Sequence, residues 1–442
     1  MSAMAEEARR ASKGRRRPNF IVIYTDDQGY GDLGCYGAKD LKTPNLDALA
    51  KAGVRFTNWY SNSPVCSPSR ASLMTGCYPE RVGVPQILGG ERGTPGLSAD
   101  HVTIARALKP LGYKTGIFGK WHLGVADEHR PNAHGFDEFF GFLAGCADYY
   151  SHIYYWGWRK GENPVHDLWH NDREVWQNGR YLTELITEKA VEFINRQSGP
   201  FLMYVPYNAP HFPLHAPKGY LDRFRDLPPD RRIMAAMIAA VDDGVGAIVN
   251  ALKRTGQYEN TVIFFSSDNG PSDESRNWLD GSEDAYYGGT AGILRGHKAS
   301  LFDGGIRMPA ILSWPDRTPA GQVCHEVGAM MDIFPTFVEI AGAEVPSDRD
   351  GSSILSMVTE GAPSPHKQLF WEYNDQLAVR QGKWKLVLHG KLDFSLTQPD
   401  DVHLSDVDAD PGERVNLKDQ EPDLVVELTR AAEAWLAEVQ AK

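Results

Sequence analysis

The sequence predicts an α/β fold, with a large, mostly parallel sheet flanked by helices and a small C-terminal α+β unit of antiparallel strands and one helix. Three observations predict it. Short apolar, β-rich runs alternate with stretches of helical periodicity, as in a parallel sheet covered on both faces. Polar clusters stand at the ends of those runs, where open α/β sheets place their sites. After about residue 365 the pattern changes to closely spaced short strands and one amphipathic helix.

The elements follow in order. Residues 19 to 25 (Asn-Phe-Ile-Val-Ile-Tyr-Thr) form a buried strand that stops at Asp26-Asp27-Gln28-Gly29. Residues 44 to 53 read as a helix, with Pro44 or Asn45 near its start and Gly53 past its end. Val54 to Trp59 is the next strand, 102 to 111 a helix closed by Gly112, and Tyr113 to Phe118 a strand ending in Gly119-Lys120-Trp121-His122. A helix over 182 to 196 and a strand from Phe201 to Val205 continue the rhythm. The long helix over 231 to 255 puts Ile233, Met237, Ile238, Val241, Val245, Ile248 and Leu252 on one face. Thr261 to Ser266 is a strand that leads into Asp268-Asn269-Gly270. Two regions break the rhythm: an aromatic insertion over 145 to 180 and a loop rich in Gly, Ser and Asp over 271 to 297. Long loops in a compact domain are often functional. Residues 370 to 373, 377 to 380 and 383 to 388 read as an antiparallel meander turning at Gln381-Gly382, and 422 to 440 as the last helix. The expected division is a disordered basic tail over 1–18, a catalytic domain over 19–365 and a C-terminal subdomain over 366–442.

Composition narrows the function classes. The net charge is −12, although the first 17 residues hold six basic and two acidic side chains, so the rest carries about −16. So acidic a body argues against nucleic-acid binding and requires that an anionic substrate be drawn in by local basic groups. No run approaches the roughly 18 consecutive apolar residues of a membrane span, and no apolar stretch of signal-peptide type follows the basic N-terminus. A cytoplasmic location is the expectation. Five widely spaced cysteines without a C-x-x-C pair fit a reducing compartment and argue against a zinc site.

Three clusters carry chemistry. The first is Cys66-Ser67-Pro68-Ser69-Arg70, followed by Leu73-Met74-Thr75-Gly76. Alone, such a cysteine is as readily a buried core residue. The second pairs Asp26-Asp27 with Asp268-Asn269 at two strand ends, an oxygen-rich set of the kind hard divalent cations prefer. The third is basic: Gly119-Lys120-Trp121-His122-Leu123-Gly124, Asn208-Ala209-Pro210-His211, and Lys298 within His297-Lys298-Ala299-Ser300. Singly, these would be turn or surface residues.

Together these motifs resemble the formylglycine-dependent sulfatases of the alkaline phosphatase-like superfamily, from Asn19 to about Leu417, including the late Asp410-Pro411-Gly412-Glu413 segment. The resemblance implies that a maturation enzyme reads C-x-P-S-R and oxidises Cys66 to an aldehyde, whose hydrate attacks sulfur. It implies one divalent cation, calcium expected and magnesium the alternative, on Asp26, Asp27, Asp268, Asn269 and residue 66. It implies that Arg70 and Lys120 hold the nucleophile and the metal shell. His211 and Lys298 would contact the sulfate and assist the leaving group, Asp268 would activate the attacking hydroxyl, and His122 would take a proton for sulfate release.

His215, in His-Phe-Pro-Leu-His-Ala-Pro (211 to 217), is a candidate pocket residue. The aromatics Tyr149, Tyr150, His152, Tyr154, Tyr155, Trp156 and Trp158 would either stack on a substrate ring or pack the insertion onto the sheet. The expected substrate is a sulfated saccharide or small molecule, cleaved by an exo-acting carbohydrate sulfatase that also accepts aryl sulfates. Two alternatives are a phosphonate monoester or phosphodiester hydrolase of the same superfamily and a non-catalytic glycan-binding protein on the same scaffold.

Overall fold

The computed structural model describes residues 16–154, 164–273, 288–315, 317–392 and 400–441. Most of the basic tail, Tyr155, Trp156, Trp158 and the centre of the Gly-rich loop lie outside the described residues. Among the described residues the main sheet has ten strands. In chain order they are β1 (Asn19–Thr25), β2 (Val54–Tyr60), β3 (Lys114–Lys120), β4 (Glu138–Phe142), β5 (Trp169–His170), β6 (Arg173–Glu174), β7 (Phe201–Pro206), β8 (Thr261–Ser267), β9 (Arg307–Ser313) and β10 (Gln322–Ala329). Their spatial order is β10-β2-β9-β8-β1-β7-β3-β4-β5-β6.

The centre, β8-β1-β7-β3-β4, is parallel, and β9 runs antiparallel between β8 and β2. β1 is buried along its whole length, as expected of a strand with layers on both faces. Its alternate residues divide between those layers. Phe20, Val22 and Tyr24 join a core with Leu73, Met74, Phe334 and Phe337, from helices Cys66–Thr75 and Ile333–Ile340. Ile21 and Ile23 join the opposite core, with helices Leu182–Arg196 and Pro229–Arg254. The helix Pro229–Arg254 is long and apolar enough to cross a membrane, yet 72% of its most apolar window is buried within the protein.

A second, antiparallel sheet is formed by β11 (Gln368–Tyr373), β12 (Gln376–Gln381), β13 (Trp384–Leu388) and β14 (Val402–Asp406). The helix Pro422–Gln440 covers it, and its core runs on through Tyr60, Val65, Phe302 and Ile306.

Sequence and structure differ in a few places. The helix expected over 102 to 111 is an α-helix only from Ile104 to Leu108, then a 3₁₀ turn over Lys109–Leu111, because Pro110 has no N–H to donate and cannot continue the α-helical ladder. Gly119 and Lys120 belong to β3 itself. Strands β4, β9, β10 and β14 are not among the expected elements, nor are β5 and β6, which lie in the stretch read as an aromatic insertion.

Candidate active site

The register of β1 on β8 builds the first half of the site. Thr25 pairs with Ser267, so both chains leave the sheet at the same level. The Asp27 N–H then donates to Asp268 Oδ1 at 3.1 Å, and the Gln28 N–H to Ser267 Oγ at 2.9 Å. Asp27 takes a left-handed φ of 63° there. Such strain in a non-glycine residue clusters at functional sites. Asp26, Asp27, Asp268 and Asn269 are all buried.

Three cations are buried among these carboxylates, which offsets the cost of taking the charges out of water. Arg70 Nε and Nη2 donate to Asp268 Oδ2 at 3.1 and 2.6 Å, and Nη2 lies 3.4 Å from Asp26 Oδ1. Lys120 Nζ donates to Asp26 Oδ2 at 2.6 Å. Lys298 Nζ donates to Asp27 Oδ2 at 3.0 Å and to His211 Nε2 at 3.3 Å. Burial raises the Asp26 carboxyl, but Lys120 and Arg70 outweigh it and hold the group below its ordinary value.

Cys66 opens the helix Cys66–Thr75, all ten of whose residues are buried. Ligand atoms of Asp26, Asp27, Cys66 and His211 lie within 4.8 Å of one another. Burial pushes the Cys66 thiol up to about 12, against the pull of Lys120 and Lys298. An unmodified Cys66 is therefore a protonated thiol at neutral pH and a poor nucleophile.

The histidines have defined tautomers, assigned from their hydrogen bonds. His211 Nδ1 lies 2.7 Å from the Phe212 carbonyl oxygen and donates to it, which leaves Nε2 to accept from Lys298. His122 Nε2 lies 3.0 Å from the Leu88 carbonyl oxygen, so Nδ1 carries the lone pair, and it has no hydrogen-bond partner among the described residues. Burial, reinforced by Lys120, holds His122 well below its usual pKa, as a neutral base.

The donor set suits a hard divalent cation. Its oxygens come from three carboxylates and one amide. Asn269 donates Nδ2 to Asp27 Oδ1 at 2.6 Å, while its buried Oδ1 has no partner among the described residues. Exchanging the two ends of that amide would set two oxygens against each other, an arrangement a cation between them stabilises. Cys66 and His211 also border this point.

The structure brings together Asp26, Asp27, Cys66, Arg70, Lys120, His211, Asp268, Asn269 and Lys298. His122 stands two residues past Lys120 with φ 54°. His215 lies further out: Nδ1 is 3.2 Å from Asp148 Oδ2, and the ring lies against Tyr149 and Tyr150. The Tyr149 hydroxyl donates to the carbonyls of Asn208 and His211, both at 2.9 Å. That buried aromatic supports the His211 loop instead of stacking on a ligand. Sequence reasoning missed Tyr24, whose ring lies 5.5 Å from the Arg70 guanidinium and whose hydroxyl is 3.0 Å from Ser69 Oγ; the alternation of β1 would have placed it under the Cys66 helix. It also missed Gly145, where a Cβ would come within 2.7 Å of the His122 ring.

Known proteins share this arrangement of chain. The family model described as Sulfatase matches residues 18–343, and that described as N-sulphoglucosamine sulphohydrolase, C-terminal, matches residues 296–442. Arylsulfatase J of Mus musculus is 32% identical over 481 residues, covering 96% of this chain and 77% of that protein. N-acetylgalactosamine-6-sulfatase of Sus scrofa is 35% identical over 389 residues, covering 83% and 71%. Among solved structures, Ps i-CgsB in complex with k-i-k-neocarrahexaose superposes with a TM-score of 0.84 at 33% identity, covering 95% of this chain and 93% of that one.

Proposed function

This chain belongs to the sulfatase family and is a sulfuric ester hydrolase of the alkaline phosphatase-like fold, and from that premise we propose that it cleaves the sulfate ester of a saccharide through formylglycine made from Cys66. The observation that carries the reading is the convergence on Cys66 of buried carboxylates, buried cations and the neutral His211. The activity is exo-acting, on a sulfated sugar, with aryl sulfates as accessory substrates. Two named relatives support the aryl and sugar substrates: one is an arylsulfatase and the other an N-acetylgalactosamine-6-sulfatase.

Asp26, Asp27, Asp268 and Asn269, with residue 66, would hold one divalent cation, calcium before magnesium. When bound, it supplies Lewis-acid polarisation and a template for the sulfate oxygens. As formylglycine, residue 66 supplies a hydrated aldehyde whose hydroxyl attacks sulfur. The chain's own residues do the rest. Arg70 and Lys120 fix the carboxylates, and Lys120 adds positive charge beside the reacting sulfate. Lys298 donates to His211, and its ammonium is proposed to stabilise and protonate the departing oxygen, with the neutral His211 holding it in place; preorganised donors of this kind act where charge develops. Asp268 is the proposed acceptor of the attacking hydroxyl's proton. His122, neutral and with Nδ1 available, takes the proton that allows sulfate to leave. His215 is proposed to line the approach on the Asp148 side. A formylglycine-generating enzyme is the proposed maturation partner. Residues 19–365 and 366–442 are proposed as the two domains. A cytoplasmic location is proposed from the five free cysteines.

The test is mass spectrometry of the tryptic peptide carrying Cys66, with parallel assays on an aryl sulfate, a sulfated oligosaccharide, a phosphate diester and a phosphonate. An aldehyde at residue 66 with calcium-dependent sulfate release that Cys66→Ala abolishes is the expected result. An aldehyde with turnover of only the phosphorus esters would establish the phosphonate or diester hydrolase instead. No aldehyde after co-expression with a maturation enzyme, and no hydrolysis, would overturn the nucleophile.

A further inference from the structure

We infer that Gln376 is a positioning residue for Lys298, so that the C-terminal sheet sets the geometry of the leaving-group site. The inference rests on the reading above for what Lys298 does to the substrate. The backbone that carries Lys298 is strained: Ala299, the next residue, has φ 71°. A left-handed conformation crowds a residue with a Cβ, and it persists only where its surroundings enforce it.

The enforcement comes from two sides. From the catalytic core, the Lys298 N–H donates to the Pro271 carbonyl at 2.9 Å, and the Ala299 N–H to the Pro64 carbonyl at 3.0 Å. Those acceptors flank the Asp268-Asn269 turn and Cys66. From the C-terminal sheet, Gln376 Nε2 donates to the Ala299 carbonyl at 2.8 Å. Its Oε1 accepts from the Leu301 N–H at 3.3 Å and the Lys391 N–H at 2.9 Å.

One side chain, 2% exposed at the start of β12, thus ties three backbone groups together. Neighbouring bonds repeat the pattern: the His297 N–H donates to the Leu392 carbonyl at 2.9 Å, the Ser300 hydroxyl to the Lys391 carbonyl at 2.6 Å, and the Asp303 N–H to Glu413 Oε2 at 2.6 Å. The ammonium so placed reaches both Asp27 and His211. Rotation of the 298–299 peptide would carry it away from both. Among the described residues Gln376 makes its hydrogen bonds to backbone groups, not to the proposed reacting groups, so it acts through the backbone.

The test compares Gln376→Met, which keeps the volume and removes donor and acceptor, with Trp435→Phe. Trp435 packs its helix on Tyr78 and Phe370, so its variant loosens the same sheet away from Lys298. Each protein is assayed on a sugar sulfate, which needs help with its leaving oxygen, and on 4-nitrophenyl sulfate, which needs little. Gln376→Met is expected to lose about tenfold more kcat/KM on the sugar sulfate than on the nitrophenyl ester. Trp435→Phe should lower Tm and change both activities equally. In parallel, Lys298 is labelled with a small amine reagent and read by mass spectrometry. Buried in the unaltered protein, it should label about fivefold or more faster in Gln376→Met, because a loosened segment opens more often. Unchanged labelling, or equal loss on the two substrates, overturns the inference. Faster labelling in a protein that releases sulfate from nothing would keep the clamp and overturn the proposed substrate reading.

Discussion

Two clusters of buried charge in this protein use the same residue types for different ends. At the β1 and β8 ends, Asp26, Asp27 and Asp268 meet Arg70, Lys120 and Lys298. Where the C-terminal sheet meets β2 and β9, Asp303 and Glu413 meet Lys385 and Arg307, with Tyr60 and Arg380 beside them. In the second cluster each carboxylate oxygen faces a donor or a cation. Asp303 Oδ1 takes Lys385 at 2.6 Å, Oδ2 takes Tyr60 at 3.0 Å and Arg307 at 3.3 Å, and Glu413 Oε2 takes the Asp303 N–H, while its Oε1 lies 3.1 Å from the Lys385 ammonium as an ion pair without a hydrogen bond. In the first, Asn269 Oδ1 is buried without a partner among the described residues. A satisfied polar network fixes a docking geometry, whereas an unsatisfied one retains capacity for a ligand.

The largest expected effect separates the two. Asp268→Ala strands the Arg70 guanidinium, and breaking a buried pair this way costs about 3–5 kcal/mol. It should also remove at least about a thousandfold of activity per folded molecule, measured by denaturant unfolding and sulfate release on one sample. If folded Asp268→Ala kept its activity, the first cluster would be mere structure too. Arg380→Leu, in the second cluster, removes bonds to Tyr60 and Asn58 and should cost about 1–3 kcal/mol. Its activity per folded molecule should stay unchanged.

Calcium sharpens the contrast further. At a hundred times its Kd it should stabilise the folded state by about 2.7 kcal/mol, read as a rise in Tm that chelator reverses. Asn269→Leu should abolish that rise, and Arg380→Leu should retain it.

The smallest effect is a pH slope. Burial raises the Glu413 carboxyl to about 7 and Glu80 to about 8. His366 is also raised: burial lowers it, but the Asp332 carboxylate at 2.8 Å outweighs burial. In each case the folded state holds a proton that the unfolded chain releases more readily. The stabilisation is complete below the unfolded pKa and lost as pH rises through the folded one. Tm should therefore fall by a few degrees between pH 6 and 8.5, and Glu80→Gln should flatten the curve. A Tm that rises over this window would contradict the burial of these groups.

Much of this was legible in the chain. The helices over 182–196 and 422–440 carry an uninterrupted period and begin and end where that period does. Asp26-Asp27, Asp268-Asn269 and Lys120 announce themselves because a strand's apolar run stops at charge. What was hidden depends on partners far away in sequence. β9 and β10 show no pattern of their own that fixes their place, since β9 enters antiparallel only because β2 and β8 flank it. Gln376 is a single amide beside a turn, and its meaning lies in Ala299, 77 residues earlier. The unpartnered oxygen of Asn269 appears only once β1 and β8 are in register.

The depth of residue 66 has a consequence in time. Its side chain is 2% exposed, within a helix buried from end to end, so a modifying enzyme has no path to it in the finished fold. If residue 66 is the proposed formylglycine, its oxidation would race folding during synthesis, and a molecule that folds first would stay inactive. The yield of working enzyme would then be set by how slowly this helix docks, a kinetic quantity, and a stabilised variant with perfect geometry would contain fewer competent molecules than its parent.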